Sequence, residues 1–325
     1  MKTTAIAPSN IAFIKYWGVK DAVLRLPTNG SISMNLSNLL TTTTVEFNEA
    51  FTQDHVTFNG KQEPEINNRA LKHIDRIRKL ANITTRVKIV TENNFPTSTG
   101  LSSSASGFAA LSLAGAKAAG LDLSEKELSI RARQGSGSAC RSIPDGITEW
   151  LDGERSEESY AVSLYPPDYW DLVDIVAVVS TSKKDINTTE GHKLASTSPF
   201  FSTRLSLIND KIALVKKYMQ EKNFTKFGEL IEAEALEFHA ILITSTPSLL
   251  YWFPQTIRVM KYVKKLRTEG IEVYFTINTG QDIHVICQQK DAELVAKKLG
   301  EIDEIQNIIV NNPTKGAYIT DNHLF

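Results

Sequence analysis

Residues 95–108 read FPTSTGLSSSASGF, a proline-led turn, a glycine and a run of hydroxyl side chains leading into an apolar stretch. A chain of this composition can wrap tightly around Gly100, so that successive backbone N–H groups converge on one point. A helix expected from Ser103 to about Ala119 adds the positive end of its dipole there. Such an arrangement receives a polyanion. The hydroxyls of Ser102, Ser103, Ser104 and Ser106 can bond phosphate oxygens or a Mg²⁺ ion, behind the turn at Pro96. The spacing is not the GxxxxGK[ST] of a Walker A loop. Serine also caps helices, which is the plainer alternative. Four hydroxyls in five positions behind a glycine favour phosphate.

Two further segments supply cations. Gly135-Ser136-Gly137-Ser138 offers backbone and hydroxyl donors, and Arg141 follows with a planar fork suited to carboxylate or phosphate. A guanidinium among small residues needs an anionic partner if it points inward. Residues 7–21, APSNIAFIKYWGVKD, place Lys15, Tyr16, Trp17 and Lys20 around Gly18, where they could gather a phosphate and a carboxylate. Taken alone, that segment reads equally as a strand end with surface lysines. Lys183, Lys184, Thr188, Thr189 and Gly191 form a fourth cluster, either a solvated loop or a lid over substrate.

These side chains need a scaffold, and the patterning outlines one. Residues 3–15 are extended in character, Thr41–Phe47 and His55–Phe58 read as strands, and Asn59-Gly60 signals a hairpin turn. Apolar residues at helical spacing run from Ile66 to Leu80, followed by a strand at Arg86–Thr91. Ser124 and Glu127 fit a capping box opening a helix to Arg133, and residues 134–150 read as a loop. Leu172–Val179 is almost unbroken in apolar character, as in a strand buried on both faces. Helices are expected over 200–220, 224–241, 254–268 and 291–299, with strands at Val273–Asn278, Ile283–Gln288 and 305–310. The alternation predicts an α+β sandwich. A boundary is expected in the polar stretch 180–195, giving domains 1–185 and 186–325.

The 325 residues carry a net charge of −1, which gives no global field for nucleic acid or an acidic membrane. Cys140 and Cys287 are far apart, in no metal-ligand spacing, and read as reduced buried thiols. Neither a secretory signal nor an apolar run of membrane length is expected, so the chain reads as soluble and cytoplasmic. Glu232, Glu234, Glu237 and His239 read as exposed helical charge rather than as a metal site, since no HExxH is present. Tyr251-Trp252-Phe253-Pro254 reads as helix packing rather than an adenine platform.

With these motifs in place, the sequence resembles the GHMP small-molecule kinase superfamily and, within it, the mevalonate diphosphate decarboxylases. The resemblance rests on APSNIAFIKYWGVKD with LPTNGSISMNL, FPTSTGLSSSASGFAAL, ARQGSGSACRSIPDGITEW, and the pair STPSLLYWFPQT and YFTINTGQDIHV, spread over nearly the whole chain. It implies a ribosomal protein S5 domain 2-like N-terminal domain, a ferredoxin-like C-terminal domain, a cleft between them, and a homodimer. The implied enzyme is an ATP- and Mg²⁺-dependent carboxy-lyase of isoprenoid biosynthesis. It phosphorylates the tertiary 3-hydroxyl of mevalonate 5-diphosphate, then loses phosphate and CO₂ to give isopentenyl diphosphate. By the resemblance, Pro96, Gly100, Ser102, Ser103, Ser104 and Ser106 hold nucleotide phosphates, with Ser103 and Ser104 on the metal. Tyr16, Lys20, Ser136, Gly137, Ser138, Thr188 and Thr189 hold substrate, Arg141 grips its carboxylate or phosphates, and Lys15 lies by the reacting hydroxyl.

One departure bears on catalysis. Where the family has an aspartate that orients or deprotonates the hydroxyl, this chain has Asn278. An amide cannot accept that proton. The chain reads as an Asp-to-Asn variant made to trap a complex. The alternatives are a native Asn278 with Asp282 supplying the charge, or an enzyme that turns over weakly or performs another step. Pro144, Asp145 and His192 also depart from the family pattern. A phosphomevalonate decarboxylase, a mevalonate-type 3-kinase and a nucleotide- and metabolite-binding protein without turnover are the alternative functions.

Overall fold

A computed structural model describes residues 1–96, 100–182 and 188–325. The elements run β1 (Lys2–Ile14), β2 (Val19–Asp21), β3 (Leu26–Pro27), β4 (Ser31–Phe47), β5 (His55–Phe58), α1 (Pro64–Ala81), β6 (Val87–Asn93), α2 (Ser103–Ala118) and α3 (Glu125–Gly135). Then come β7 (Ile147–Trp150), β8 (Ala161–Tyr165), β9 (Leu172–Val178), α4 (Thr188–Lys193), α5 (Phe201–Gln220), α6 (Phe224–Thr244) and α7 (Pro254–Thr268). The chain closes with β10 (Val273–Thr276), β11 (Ile283–Gln288), α8 (Gln289–Gly300), β12 (Asn307–Asn311) and β13 (Tyr318–Thr320).

A seven-stranded sheet follows the order β13-β1-β4-β6-β5, with β7 and β8 continuing from β4. A second, antiparallel sheet has the order β10-β11-β9-β12. The architecture is α+β, as the alternation of patterns predicts. The two sheets do not part at residue 185, however. The second sheet already claims β9, and the chain returns to the first sheet at β13. Three apolar clusters stack the layers. Ile74, Ile77 and Ala114 pack α1 and α2 on one face of the first sheet. Ile11, Ile32, Val176 and Phe227 fill the space between the sheets and α5 and α6. Val263, Phe275 and Val295 join α7 and α8 to the far face of the second sheet.

Several elements differ from the sequence expectation. β4 begins at Ser31, ten residues earlier than the expected Thr41. Its first half alternates Ser31, Ser33 and Asn35 with Ile32, Met34 and Leu36, and both sets are buried. The apolar set meets the inter-sheet core and the polar set reaches the site below. Residues 134–150 are not one loop: α3 runs to Gly135, a 3₁₀ turn covers Gly137–Ser142, and β7 follows. Asn59 and Gly60 do adopt positive φ (+46° and +73°), but they close a single bridge between Phe58 and Lys61 before α1. No strand hairpin forms there, because β5 pairs in parallel with β6. The Ser124–Glu127 capping box is present.

A register shift between Pro8 and Asn10 in β1 matters for function. Ala5 and Ala7 face α1 and α2, whereas after the shift Ile11 and Phe13 face the inter-sheet core. A bulge of this kind turns the side chains between them to a new face. Asn10 is thereby aimed at the 3₁₀ turn, where its Nδ2 donates to Ser142 Oγ (2.8 Å) and to the Ser138 carbonyl (3.2 Å).

Candidate active site

A cavity of about 500 Å³ opens where the end of β1, the N-terminus of α2, the 3₁₀ turn, α4 and the loop after β10 converge. Gly100, Ser102, Ser103 and Ser104 line it from the α2 side. Tyr16, Ser136, Gly137, Ser138 and Arg141 face them, Thr188 and Thr189 enter from α4, and Lys15 and Asn278 form the floor. Three expected site residues are not there. Ser106 is fully buried against the sheet, its hydroxyl bonded to Thr41 Oγ1 (2.6 Å) and the Ser103 carbonyl (3.2 Å). The helical period carries it off the phosphate side. Lys20 is exposed and paired with Glu154 (2.5 Å) outside the cavity. Pro96 is half-buried and does not line the cavity. Lys183 and Lys184 lie outside the described residues.

The phosphate loop is shaped by two close backbone approaches. Gly100 has φ +109°, and a Cβ there would lie 2.8 Å from Gly280 Cα. Only glycine meets both requirements. Gly137 is likewise excluded from carrying a side chain, since a Cβ would lie 2.7 Å from the Tyr16 ring. Ser102, at the N-cap of α2, sits at φ +57° and makes no side-chain capping bond. The plain capping alternative therefore fails at this serine. Ser104 Oγ meets Ser136 Oγ at 3.2 Å, joining the two expected anion-binding segments.

Arg141 is 3% exposed, and among the described residues its guanidinium bonds only neutral oxygens: Ser33 Oγ (2.9 Å), Ser31 Oγ (2.6 Å) and Asn10 Oδ1 (3.1 Å). Burial pulls its pKa below the ordinary arginine value. Lys15, 2% exposed, donates to the Ala12 carbonyl (2.6 Å), Thr276 Oγ1 (2.7 Å) and Asn278 Oδ1 (3.2 Å). Burial lowers its pKa well below the usual 10.5. Glu234 opposes that shift, and the Arg141 and Arg204 charges add to it. Two buried basic side chains thus face the cavity, with no carboxylate bonded to either among the described residues. Such a site is built to be completed by an anion.

The surrounding shell departs from the sequence reading. Glu232, Glu234 and His239 are buried rather than exposed. Glu234 accepts from Arg204 Nη2 (2.5 Å), Lys211 Nζ (2.9 Å) and the Lys15 backbone N–H (3.2 Å). Burial pushes its carboxyl up, but Arg204 and Lys211 hold it below the usual range. His239 Nε2 donates to the Asn278 carbonyl (3.1 Å), and burial drops its pKa to about 3, so the ring is neutral. Trp252 stacks on that ring at 4.6 Å, a packing role for the Tyr251–Pro254 segment. Cys140 is buried with its thiol pushed up to about 12, so it remains a neutral filler. Asp282 accepts the Val179 N–H (2.9 Å) and does not line the cavity.

Sequence reasoning missed Arg25, Arg69 and the apolar end of the cavity, lined by Val56, Phe58, Ile66 and Phe108. Arg69 was hidden among the charged positions of α1, which read as a solvated helix face. Arg25 sits at φ +53° in the β2–β3 turn, a placement no periodicity reveals. His192, a departure from the family pattern, also lines the cavity. Its ring packs against Tyr16 (4.2 Å) and Trp17 (4.3 Å), and its Nδ1 accepts the Gly18 N–H (3.1 Å), tying α4 to the end of β1.

Comparison with known proteins identifies the family of the chain. The family model for the diphosphomevalonate decarboxylase-like N-terminal domain matches residues 7–161. That for the mevalonate 5-diphosphate decarboxylase C-terminal domain matches residues 174–318. Diphosphomevalonate decarboxylase mvd1 of Aspergillus fumigatus is 38% identical over 318 residues, 91% of this chain and 79% of that protein. The crystal structure of mevalonate diphosphate decarboxylase from Staphylococcus aureus superposes with a TM-score of 0.93 at 37% identity, covering 98% of both chains. A structure described as MDDEF in complex with MVAPP, AMPPCP and magnesium superposes at 0.93 with 33% identity, over 99% of both chains. The fold is that of the GHMP kinases, with two domains. Matched along nearly its whole length by both family models, the chain belongs to the diphosphomevalonate decarboxylase family.

Proposed function

We propose that this chain is an ATP-dependent carboxy-lyase that converts mevalonate 5-diphosphate to isopentenyl diphosphate, CO₂, ADP and phosphate in the mevalonate pathway. The observation that carries the reading is one cavity in which the serine loop at the start of α2 faces a buried Arg141 and Lys15 with neutral partners. Gly100, Ser102, Ser103 and Ser104 receive the nucleotide phosphates, aided by the α2 N-terminus. The hydroxyls of Ser103 and Ser104 suit Mg²⁺, which neutralises phosphate charge when bound. The apolar end between β5, α1 and Phe108 suits the purine. Arg141 holds the substrate carboxylate, Lys15 stands at the 3-oxygen, and Tyr16, Ser136, Gly137, Ser138, Thr188 and Thr189 surround the substrate. Arg25 and Arg69 take its diphosphate in place of Lys20. Two such cations favour the diphosphate over the monophosphate.

Chemistry at such a site consists mostly of placement and charge stabilisation. Phosphoryl transfer passes through a loose transition state in most analyses, so the hydroxyl proton leaves late, to an oxygen of the transferred phosphoryl group, and an amide at position 278 is tolerated at a cost in rate. Once the 3-oxygen carries phosphate, its departure leaves positive character at C3. That draws the electron pair of the C–CO₂ bond into the new alkene, and Arg141 holds the carboxylate in place until it leaves. The reading puts the enzyme in the cytoplasm, where its phosphoryl donor is made available. Phe200, Leu207 and Leu214 form an exposed stripe along α5, which favours a homodimer.

The test follows ADP and CO₂ together, with ATP, Mg²⁺ and either mevalonate 5-diphosphate or 5-phosphate. Equal yields of ADP and CO₂ with the diphosphate support the reading. ADP alone identifies a kinase, and neither product identifies a binding protein. Sedimentation of the purified chain decides the dimer.

A further inference from the structure

Its partners set the orientation of the Asn278 amide: the Asn10 carbonyl, 3.4 Å from its Nδ2, can only accept, and Lys15 Nζ, 3.2 Å from its Oδ1, has protons to donate in either charge state. The Nδ2 therefore also faces Ser102 Oγ, 3.0 Å away, as a donor. Ser102 Oγ is the acceptor of that bond, which leaves the single hydroxyl proton unused by Asn278. Ser102 Oγ makes no second hydrogen bond among the described residues, so nothing else there takes that proton. The residue lines the cavity at the point where the phosphate loop meets the loop after β10.

We propose that Asn278 acts on the phosphoryl group through Ser102: its amide fixes Ser102 Oγ as an acceptor and so aims the Ser102 hydroxyl proton at the terminal phosphate of the nucleotide. The inference rests on the nucleotide reading given under Proposed function. A carboxylate at position 278 would reverse the polarity of the contact. Having no proton to give, it would accept a hydrogen bond from the Ser102 hydroxyl and set a negative charge about 3 Å from the oxygen that meets phosphate. The amide thus exchanges proton acceptance for a phosphate contact. Asn278 is a positioning residue in this role, and Ser102 makes the contact.

A double-mutant cycle on binding, without turnover, tests the coupling. Calorimetry on the full chain would compare Mg²⁺ complexes of ADP and of the non-hydrolysable AMPPCP, which adds only the terminal phosphate. Ser102→Ala is expected to weaken AMPPCP about tenfold and to leave ADP within about twofold. Ser102→Gly, which tolerates the positive φ, should match it and separates loss of the hydroxyl from backbone strain. In an Asn278→Asp background the same serine change should alter AMPPCP affinity by less than about threefold. An equal loss in both backgrounds, or no loss in the parent while both nucleotides bind, would overturn the inference alone. A parent that binds neither nucleotide would overturn the nucleotide reading and the inference with it.

Discussion

The backbones of Gly100 and Gly280 touch across the cleft, one from the phosphate loop and the other from the loop after β10: a Cβ on Gly100 would lie 2.8 Å from Gly280 Cα. This contact brings Ser102 within reach of Asn278, so the two halves of the site depend on it. Gly100→Ala combines that clash with a φ of +109°. It is expected to lower kcat/KM by at least about tenfold through nucleotide binding, while circular dichroism stays that of the parent.

Asn278 neither accepts a proton nor carries charge. Asn278→Asp is expected to raise kcat by about 10²-fold or more, within the range general bases contribute. Steady-state assays of both chains check it, and equal turnover would remove residue 278 from proton transfer.

Arg141 should show a trade between binding and stability. Among the described residues its buried charge meets only neutral oxygens, so Arg141→Gln should leave the Tm of the free chain unchanged or raised. The same change should lower kcat/KM by about 10²- to 10³-fold. Lys20→Ala, by contrast, should move KM less than about twofold, because its ammonium pairs with Glu154 at the surface.

Acid should destabilise the fold through two neutral histidines. Burial lowers the pKa of both His73 and His239 to about 3, against an ordinary 6.5. Above the ordinary value neither the folded nor the unfolded chain holds these protons. Below it only the unfolded chain binds them, so stability falls from pH 6.5 towards pH 3, by up to about 1.4 kcal/mol per pH unit for each histidine. Urea unfolding between pH 7.5 and 5 would measure the slope, and His73→Gln should reduce it by about half.

Much of this site was legible because its chemistry is local in sequence. The serine loop, the Gly-Ser-Gly-Ser turn and Arg141 each announce an anion site within a few residues. The alternation in Ser31–Leu36 could have revealed the start of β4, but strand propensity drew attention to the threonine-rich half after it. Glu234 was illegible for a different reason. Helical charge reads as solvent-facing unless its partners are known, and those partners, Arg204 and Lys211, come from the neighbouring helix. Lys20 shows the converse error. Its spacing from Gly18 suggested the cleft, but β2 directs it outward to a loop more than a hundred residues along the chain.

The most direct measurement follows the 3-oxygen. Mevalonate 5-diphosphate labelled with ¹⁸O at the 3-hydroxyl, turned over with ATP and Mg²⁺, should deliver one ¹⁸O into inorganic phosphate for each CO₂ released. Release of the label as water, or CO₂ formed without ADP, would contradict phosphorylation of that hydroxyl in this cleft.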